Sequence, residues 1–245
     1  MTTHTVVNIY LLCFNEEVLI PHTVFHYRKF LPNCKIIIYD NESSDKSVEV
    51  AKSLECEVVS WSSAGINDTQ KKSEIHNNCW KHAQCDWIIC ADMDEWLCIT
   101  EEDLNLETVK QTTILKINGY DMIGTSTTLD LNDIDLHKID RCCENKYESK
   151  HLCFNKKYIK EINYDHGNHN IKPIGNILYS HKIYTNKHMS LLGLPFFIQK
   201  NKSRFVRCEA QRKNGRSVHY KNTTNEIEAK YKAVYDKSKI VNPLF

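Results

Sequence analysis

Asp92, Asp94 and Glu95 stand together at the end of an apolar run, in the stretch DWIICADMDEWL from Asp86 to Leu97. Carboxylates this close repel one another, so they stay ionised only beside a compensating cation and otherwise take up protons. An Asp-x-Asp at a strand end suits magnesium or manganese shared with a diphosphate, because such an ion takes one or two protein carboxylates and fills its other positions with phosphate oxygens and water. As a Lewis acid it would offset the negative charge that grows on a departing nucleoside diphosphate. Asp92 and Asp94 are therefore candidate metal ligands. Asp94 is also a candidate catalytic residue, as is Glu95, whose part would be to orient a neighbour. The plain alternative is a polar turn that closes a strand.

Two more polar groups follow apolar runs. Asn15, Glu16 and Glu17 come after VVNIYLLCF (Val6 to Phe14), and Asn41, Ser43, Ser44 and Asp45 follow KIIIYD, which itself ends in Asp40. With CEVVSW (Cys56 to Trp61) and DWIICAD (Asp86 to Asp92), these runs have the near-continuous apolar character of strands buried on both faces of a parallel sheet. Helical spacing lies between them: Val48, Ala51 and Leu54 behind a cap at Ser44 and Asp45, then Ile75, Cys79 and Ala83 within residues 68–84. The β-α-β-α-β-α-β order predicts an α/β fold with a doubly wound, largely parallel sheet flanked by helices. Its ligands would sit beyond the carboxyl ends of the strands, where the three polar groups converge.

The second half is less regular. Residues 111–123 predict two strands with Asn118 and Gly119 at the turn between them, a pair also compatible with a bulge. Asp130 to Lys150, charged and poor in apolar residues, predicts an exposed or mobile excursion. Strand-like alternation returns in HLCFNKKYIKEINYDHGNHNIKP. Near the end, Thr223 with Glu226 makes a capping box for a helix whose stripe is Ile227, Tyr231, Val234 and Tyr235.

The whole chain narrows the choice. Its 245 residues can bury one sizeable core. A formal charge of +1 gives no field of one sign, which argues against gripping nucleic acid or an anionic membrane as a main role. The 11 cysteines form neither paired CxxC knuckles nor a short disulfide framework, so reduced thiols are expected. MTTHTVVNIYLLCFNEE is a poor signal peptide, with a brief apolar stretch, no basic lead and acids close behind. No segment approaches the roughly 18 to 20 apolar residues of a membrane span, and a cytoplasmic location is expected.

Three blocks, CFNEEVLIPHTVFHYRKF, IIIYDNESSDKSVEVA and DWIICADMDEWL, resemble in their order the opening of family-2-like glycosyltransferases of the GT-A fold. In that group a Cys-x-Asn-Glu loop, a strand ending Asp-Asn-x-Ser-x-Asp and a strand ending Asp-x-Asp-Glu follow one another. The resemblance continues weakly through GNH (Gly167 to His169) and SVHYKNTTNEIEAKY (Ser217 to Tyr231). It implies transfer of a sugar from a nucleoside diphosphate sugar to the hydroxyl of a glycan, protein or lipid acceptor, with manganese or magnesium and with inversion. Residues 1–125 would form the nucleotide-sugar-binding half and residues 126–245 the acceptor half of one continuous domain.

Carried over by residue, the resemblance has Asn15 and Glu16 line the nucleotide pocket, Asp40 contact base or ribose, and Asn41 and Ser43 shape the loop beneath. Asp92 and Asp94 would hold the metal and the sugar nucleotide. Such enzymes often place a late histidine on the metal; His169 and His181 are favoured here, with His188 in the same region, although neither SHKI nor NKHM matches the His-Tyr-Lys common in the group. Asp165, a candidate catalytic residue, and Glu209 are the two carboxylates open for taking the acceptor proton, and the sequence does not choose between them. Lys71, Lys72, Asn77 and Asn78 could touch phosphate or sugar, though a solvated helix face is the simpler expectation for the lysines. Two rival classes remain. A nucleotidyltransferase would carry a Gly- and Arg/Lys-rich loop after the first strand, and CFNEEV has neither feature. A non-catalytic glycan-binding or scaffold protein of the same fold would tolerate loss of the acids, and Asp92 and Asp94 are both present.

Overall fold

The computed structural model describes residues 7–221 and 223–241; Val6, expected to open the first strand, lies outside them. The expected alternation is there: β1 (Val7–Cys13), α1 (Ile20–Phe30), β2 (Cys34–Asp40), α2 (Ser47–Ser53), β3 (Glu57–Ser60), α3 (Thr69–Asn78) and β4 (Trp87–Asp92). Every residue of β1 is buried, which is why its sequence is apolar throughout instead of alternating. β1 pairs in parallel with β2 and β4, and β2 with β3. Register then gathers the polar groups, since Cys13 lies beside Asp40 and Leu12 beside Asp92.

The α3 helix is shorter than expected. Asp68 caps it by accepting the Lys71 N–H, it ends at Asn78, and its buried face is Ser73 and His76 instead of the Ile75 stripe. That rotation turns Lys72 toward the end of β4.

After β4 come β5 (Glu95–Cys98), α4 (Glu101–Val109) and β6 (Ile114–Ser126). β6 is one strand of 13 residues, so the turn expected at Asn118 and Gly119 does not form. Gly119 serves a close approach instead: a Cβ there would overlap the backbone of Glu148. The chain continues with β7 (Arg141–Glu144), β8 (Cys153–Asn155), β9 (Ile159–Glu161), β10 (Ile174–Gly175), β11 (Tyr179–Gly193), α5 (Leu194–Arg207), α6 (Glu209–Lys213), α7 (Thr224–Lys237) and β12 (Lys239–Ile240). The main sheet has 10 strands, ordered β12-β7-β6-β8-β4-β1-β2-β3, with β11 between β5 and β6. It is parallel across β3-β2-β1-β4 and antiparallel from β4 through β8, β6 and β7 to β12, so both halves of the sequence share one sheet.

Residues 130–150 are not a free excursion. Leu131, Leu136 and Cys142 are buried in the core, β7 joins the sheet, and 3-10 turns cover Leu136–Lys138 and Lys146–Glu148. Sparse apolar residues placed at the right points are enough to dock the segment. The C-terminal helix forms as expected, with the Thr223 hydroxyl accepting the Glu226 N–H and Ile227 buried. All 11 cysteines are free thiols. Among the described residues no helix is long and apolar enough to cross a membrane.

Behind β5 lies a stack of rings. His26 packs face to face on Trp96 at 4.9 Å and on His137 at 5.3 Å, with its Nε2 at 3.0 Å from the Leu97 carbonyl. Burial pushes the His26 imidazole down to about 3, whereas in the unfolded chain it titrates near about 6.5. Between those values the unfolded chain binds the additional proton, so this group's contribution to stability is complete above about pH 6.5 and is lost as pH falls. Melting temperature should therefore drop as pH is lowered from 6.5 toward 4, and His26→Gln, which cannot titrate, should show a shallower slope over that window. Thermal melts decide it; identical slopes would remove His26 from the acid limb.

Candidate functional site

β4 ends at Asp92, Met93 and Asp94 turn, and Glu95 opens β5. The turn is held from every side. Glu95 Oε2 accepts the Asp92 N–H at 2.8 Å, the Thr23 hydroxyl donates to the Met93 carbonyl at 2.9 Å, Tyr27 donates to the Glu95 carbonyl at 2.9 Å, and Met189 N–H donates to the Asp94 carbonyl at 2.7 Å. A backbone pinned this way fixes where the carboxylates point.

The cations that crowded carboxylates demand are supplied by this chain. Lys200 Nζ, on α5, lies 2.7 Å from Asp94 and 3.0 Å from Glu16. Lys72, on α3, lies 3.3 Å from Asp92. Lys150, buried just after the 146–148 turn, sits 2.5 Å from Glu95, 3.5 Å from Glu148 and 3.9 Å from Asp92. Burial alone would raise the Asp92 and Asp94 carboxyls, but Lys72 and Lys150 outweigh it for Asp92, as Lys200 and His188 do for Asp94, and both are held below the usual carboxylate range. For Glu95 burial wins over Lys150, and its carboxyl is pushed up to about 7. Glu95 thus supports the turn and its neighbours from inside the protein. Lys72, expected on a solvated face, and Lys150, in a segment expected to be exposed, both belong to the site. Lys71 stays exposed, while Asn77 clasps the backbone of Tyr164 and Asn78 that of Glu74.

The histidine at the Asp-x-Asp is His188, and neither favoured histidine takes its place. Register across β11 sets His188 opposite Glu95 on one side and Asp121 on the other. Its Nδ1 is 2.6 Å from Asp121 Oδ1 and its Nε2 is 3.4 Å from Asp94 Oδ2. Burial pushes the imidazole down, yet the surrounding carboxylates, Glu148 and Asp94 foremost, raise it well above its ordinary value. His181 is exposed farther up the same strand. His169 is exposed at the rim of the same cavity. Asp165 is exposed and spends its carboxylate on its own turn, accepting from Asn170 at 3.0 and 2.7 Å. Glu209 is paired with Lys213 on the surface at 2.8 Å.

Two cavities meet at this point. One of about 210 Å³ is lined by Phe14, Asn15, Glu16, Asn41 and Trp61; the other, of about 720 Å³, is lined by Asp121, Glu148, His169, His219 and Lys230. Lys72, Asp92, Asp94, Lys200 and Arg204 line both. Asn15 and Ser43 mainly tie the first two loops together, through Asn15 N–H to Ser43 Oγ at 2.8 Å and Ser44 N–H to Asn15 Oδ1 at 2.8 Å. Asn41 is engaged on both amide atoms by Ser63. Asp40 accepts from Ser43 N–H through Oδ2, and its buried Oδ1 has no hydrogen-bond partner among the described residues.

The donors fit a divalent cation. An oxygen and a nitrogen 3.4 Å apart can both ligate one ion at about 2.0 to 2.2 Å, and the Asp121 hydrogen bond orients the imidazole as a carboxylate behind a ligating histidine does. Asp121, Glu148 and His188 also place ligand atoms within 4.8 Å of one another. Lys200 occupies the same Asp94 oxygen and would have to yield it.

Residues 9–98, from within β1 to the end of β5, match the family model described as glycosyl transferase family 2, and the three blocks that resemble that group lie in this stretch. No curated protein matches the chain. Among solved structures, S. aureus TarS is similar at 13% identity and a TM-score of 0.46, over 92% of this chain and 42% of that one. Glucosyl-3-phosphoglycerate synthase from Mycobacterium tuberculosis, in complex with Mn2+, uridine diphosphate and glucosyl-3-phosphoglycerate, is similar at 14% identity and a TM-score of 0.33, over 47% of this chain and 44% of that one. The chain spans less than half the length of these two structures.

Removing one partner from a buried ion cluster leaves the others uncompensated, at a cost of about 3 to 5 kcal/mol. Lys150→Met should therefore destabilise the fold by about that amount at neutral pH, by denaturant titration. A loss within the scatter of surface substitutions would show that Lys150 does not hold Glu95, Glu148 and Asp92 together.

Proposed function

We propose that this chain transfers a sugar from a nucleoside diphosphate sugar to an acceptor hydroxyl, assisted by a divalent cation and with inversion at the anomeric carbon. The observation that carries the reading is the meeting of Asp94, His188 and the cationic face of α5 between two cavities, at the carboxyl edge of a sheet whose first 98 residues include the family match. The smaller cavity, with Phe14, Asn41 and Trp61, suits the base and ribose, and Asp40, with a buried unpartnered oxygen, stands behind Asn41 in that wall. The larger cavity suits the transferred sugar and the acceptor.

The acceptor oxygen bonds to the anomeric carbon as the bond from that carbon to the diphosphate oxygen breaks and its electron pair leaves with the diphosphate. The transition state resembles an oxocarbenium ion, and the protein's part is positioning and electrostatics. A bound manganese or magnesium ion would supply Lewis-acid stabilisation of the departing diphosphate, held by Asp94 and His188 with Asp121 behind the imidazole. The acceptor proton needs a carboxylate within the larger cavity. Asp121 engages both of its oxygens, with Asn145 at 2.8 Å and His188 at 2.6 Å, while Glu148 Oε2 accepts no hydrogen bond among the described residues and has only the ion pair with Lys150 at 3.5 Å. Glu148 takes the role first expected of Asp165 or Glu209.

A panel of nucleoside diphosphates titrated calorimetrically with Mn2+ and with chelator tests the reading. One base should bind, at least tenfold more tightly with Mn2+. Asp94→Asn should keep its fold and lose about a hundredfold or more in turnover of the matching sugar nucleotide, in line with loss of one charge-stabilising group. Full turnover in that variant, or no gain from Mn2+, would sink the proposal.

A further inference from the structure

The α5 helix presents one long stripe to the smaller cavity: Phe196, Gln199, Lys200, Ser203, Arg204 and Arg207. The spacing of three and four residues places these side chains on one face. Arg207 is committed to architecture, with its guanidinium on the Phe14 ring at 3.4 Å and hydrogen bonds to the Gly65 and Ile66 carbonyls. Lys200 is committed to Asp94 and Glu16. Lys72 and Lys150 are likewise taken up by carboxylates. Arg204 differs from all of them. It is half-buried and lines both cavities, and although the charges of Asp94, Asp92 and Glu16 lie near enough to hold it protonated, its guanidinium makes no hydrogen bond or contact ion pair with any described residue.

A half-buried guanidinium that faces two cavities with no hydrogen bond to the protein has its donors open to a ligand. Its planar fork matches two phosphate oxygens at once, which an ammonium group cannot do. The junction it occupies is where a chain of base, ribose, diphosphate and sugar laid across both cavities would put the diphosphate.

We propose that Arg204 binds the donor's diphosphate directly, bidentate to its non-bridging oxygens, and stays on it as the leaving group gains charge. The inference rests on the glycosyltransferase reading and goes beyond it. Part of the leaving-group stabilisation then belongs to the protein itself, so the protein holds a nucleoside diphosphate measurably even without a divalent ion. The base end is unaffected by Arg204, because that end is read by the other cavity wall.

The test compares wild type, Arg204→Met and Arg204→Lys by calorimetry, using uridine, guanosine, adenosine and cytidine diphosphates and the parent nucleosides, each with EDTA and with Mn2+. For the diphosphate that wild type prefers, Arg204→Met should lose at least tenfold in affinity, more in EDTA than in Mn2+. Arg204→Lys should recover part of the loss, and the nucleoside should bind all three proteins equally. Thermal melts of the free variants establish that each is folded, and Arg204→Met should melt somewhat below wild type, since it removes a cation that faces Asp92, Asp94 and Glu16. Diphosphate affinity unchanged in Arg204→Met overturns the proposal, as does an equal loss for the nucleoside. If wild type binds none of the diphosphates with Mn2+, the glycosyltransferase reading falls and takes this inference with it.

Discussion

The structure is organised around keeping a set of carboxylates ionised in a place that disfavours charge. Asp94 is almost fully buried and Asp92 stands beside it at the same turn, both held below the usual carboxylate range, while Glu95 behind them is pushed up by its burial. The elements that surround them supply counter-charge: Lys72 from α3, Lys150 from the segment after the 146–148 turn, His188 from β11, Lys200 from α5. Replacing buried ion pairs by well-packed apolar groups is often neutral or stabilising. A fold under selection for stability alone has no need of this cluster, which is the physical reason for assigning it to chemistry.

Non-local pairing delivers those groups. β11 reaches the turn only because it lies between β5 and β6, and a single row across the three strands then holds Glu95, His188 and Asp121. A one-residue slip of β11 would turn His188 to the other face, where Lys187 is buried. Gly119 lets the 146–148 turn press onto β6, and that contact carries Glu148 and Lys150 to the cavity wall. α5 starts where β11 ends, so the strand that brings the histidine also aims the helix that brings the lysine and the arginines.

Much of the first half was legible because its signals are local. Runs such as VNIYLLC, buried at every position, announce a parallel sheet, and strand ends followed by Asn, Asp and Glu announce the edge where polar groups converge. The second half hid its contribution for reasons that can be named. Asn118-Gly119 has turn chemistry, but the glycine answers a close backbone approach. The segment from Asp130 to Lys150 is charged, yet a few buried residues dock it and its charges face inward. Three histidines shared one region, and only strand register separates His188 from His181. Asp165 has the right residue type, but its carboxylate closes its own loop.

The central claim is that Asp94 and His188 share one divalent ion with the donor's diphosphate. Pulsed electron paramagnetic resonance of Mn2+ bound with the preferred nucleoside diphosphate reads that geometry without needing turnover. The account predicts nitrogen hyperfine coupling from one imidazole together with phosphorus coupling, the nitrogen signal vanishing in His188→Gln while the phosphorus signal remains. Phosphorus coupling without nitrogen coupling in wild type, or a nitrogen signal that survives in His188→Gln, would contradict it.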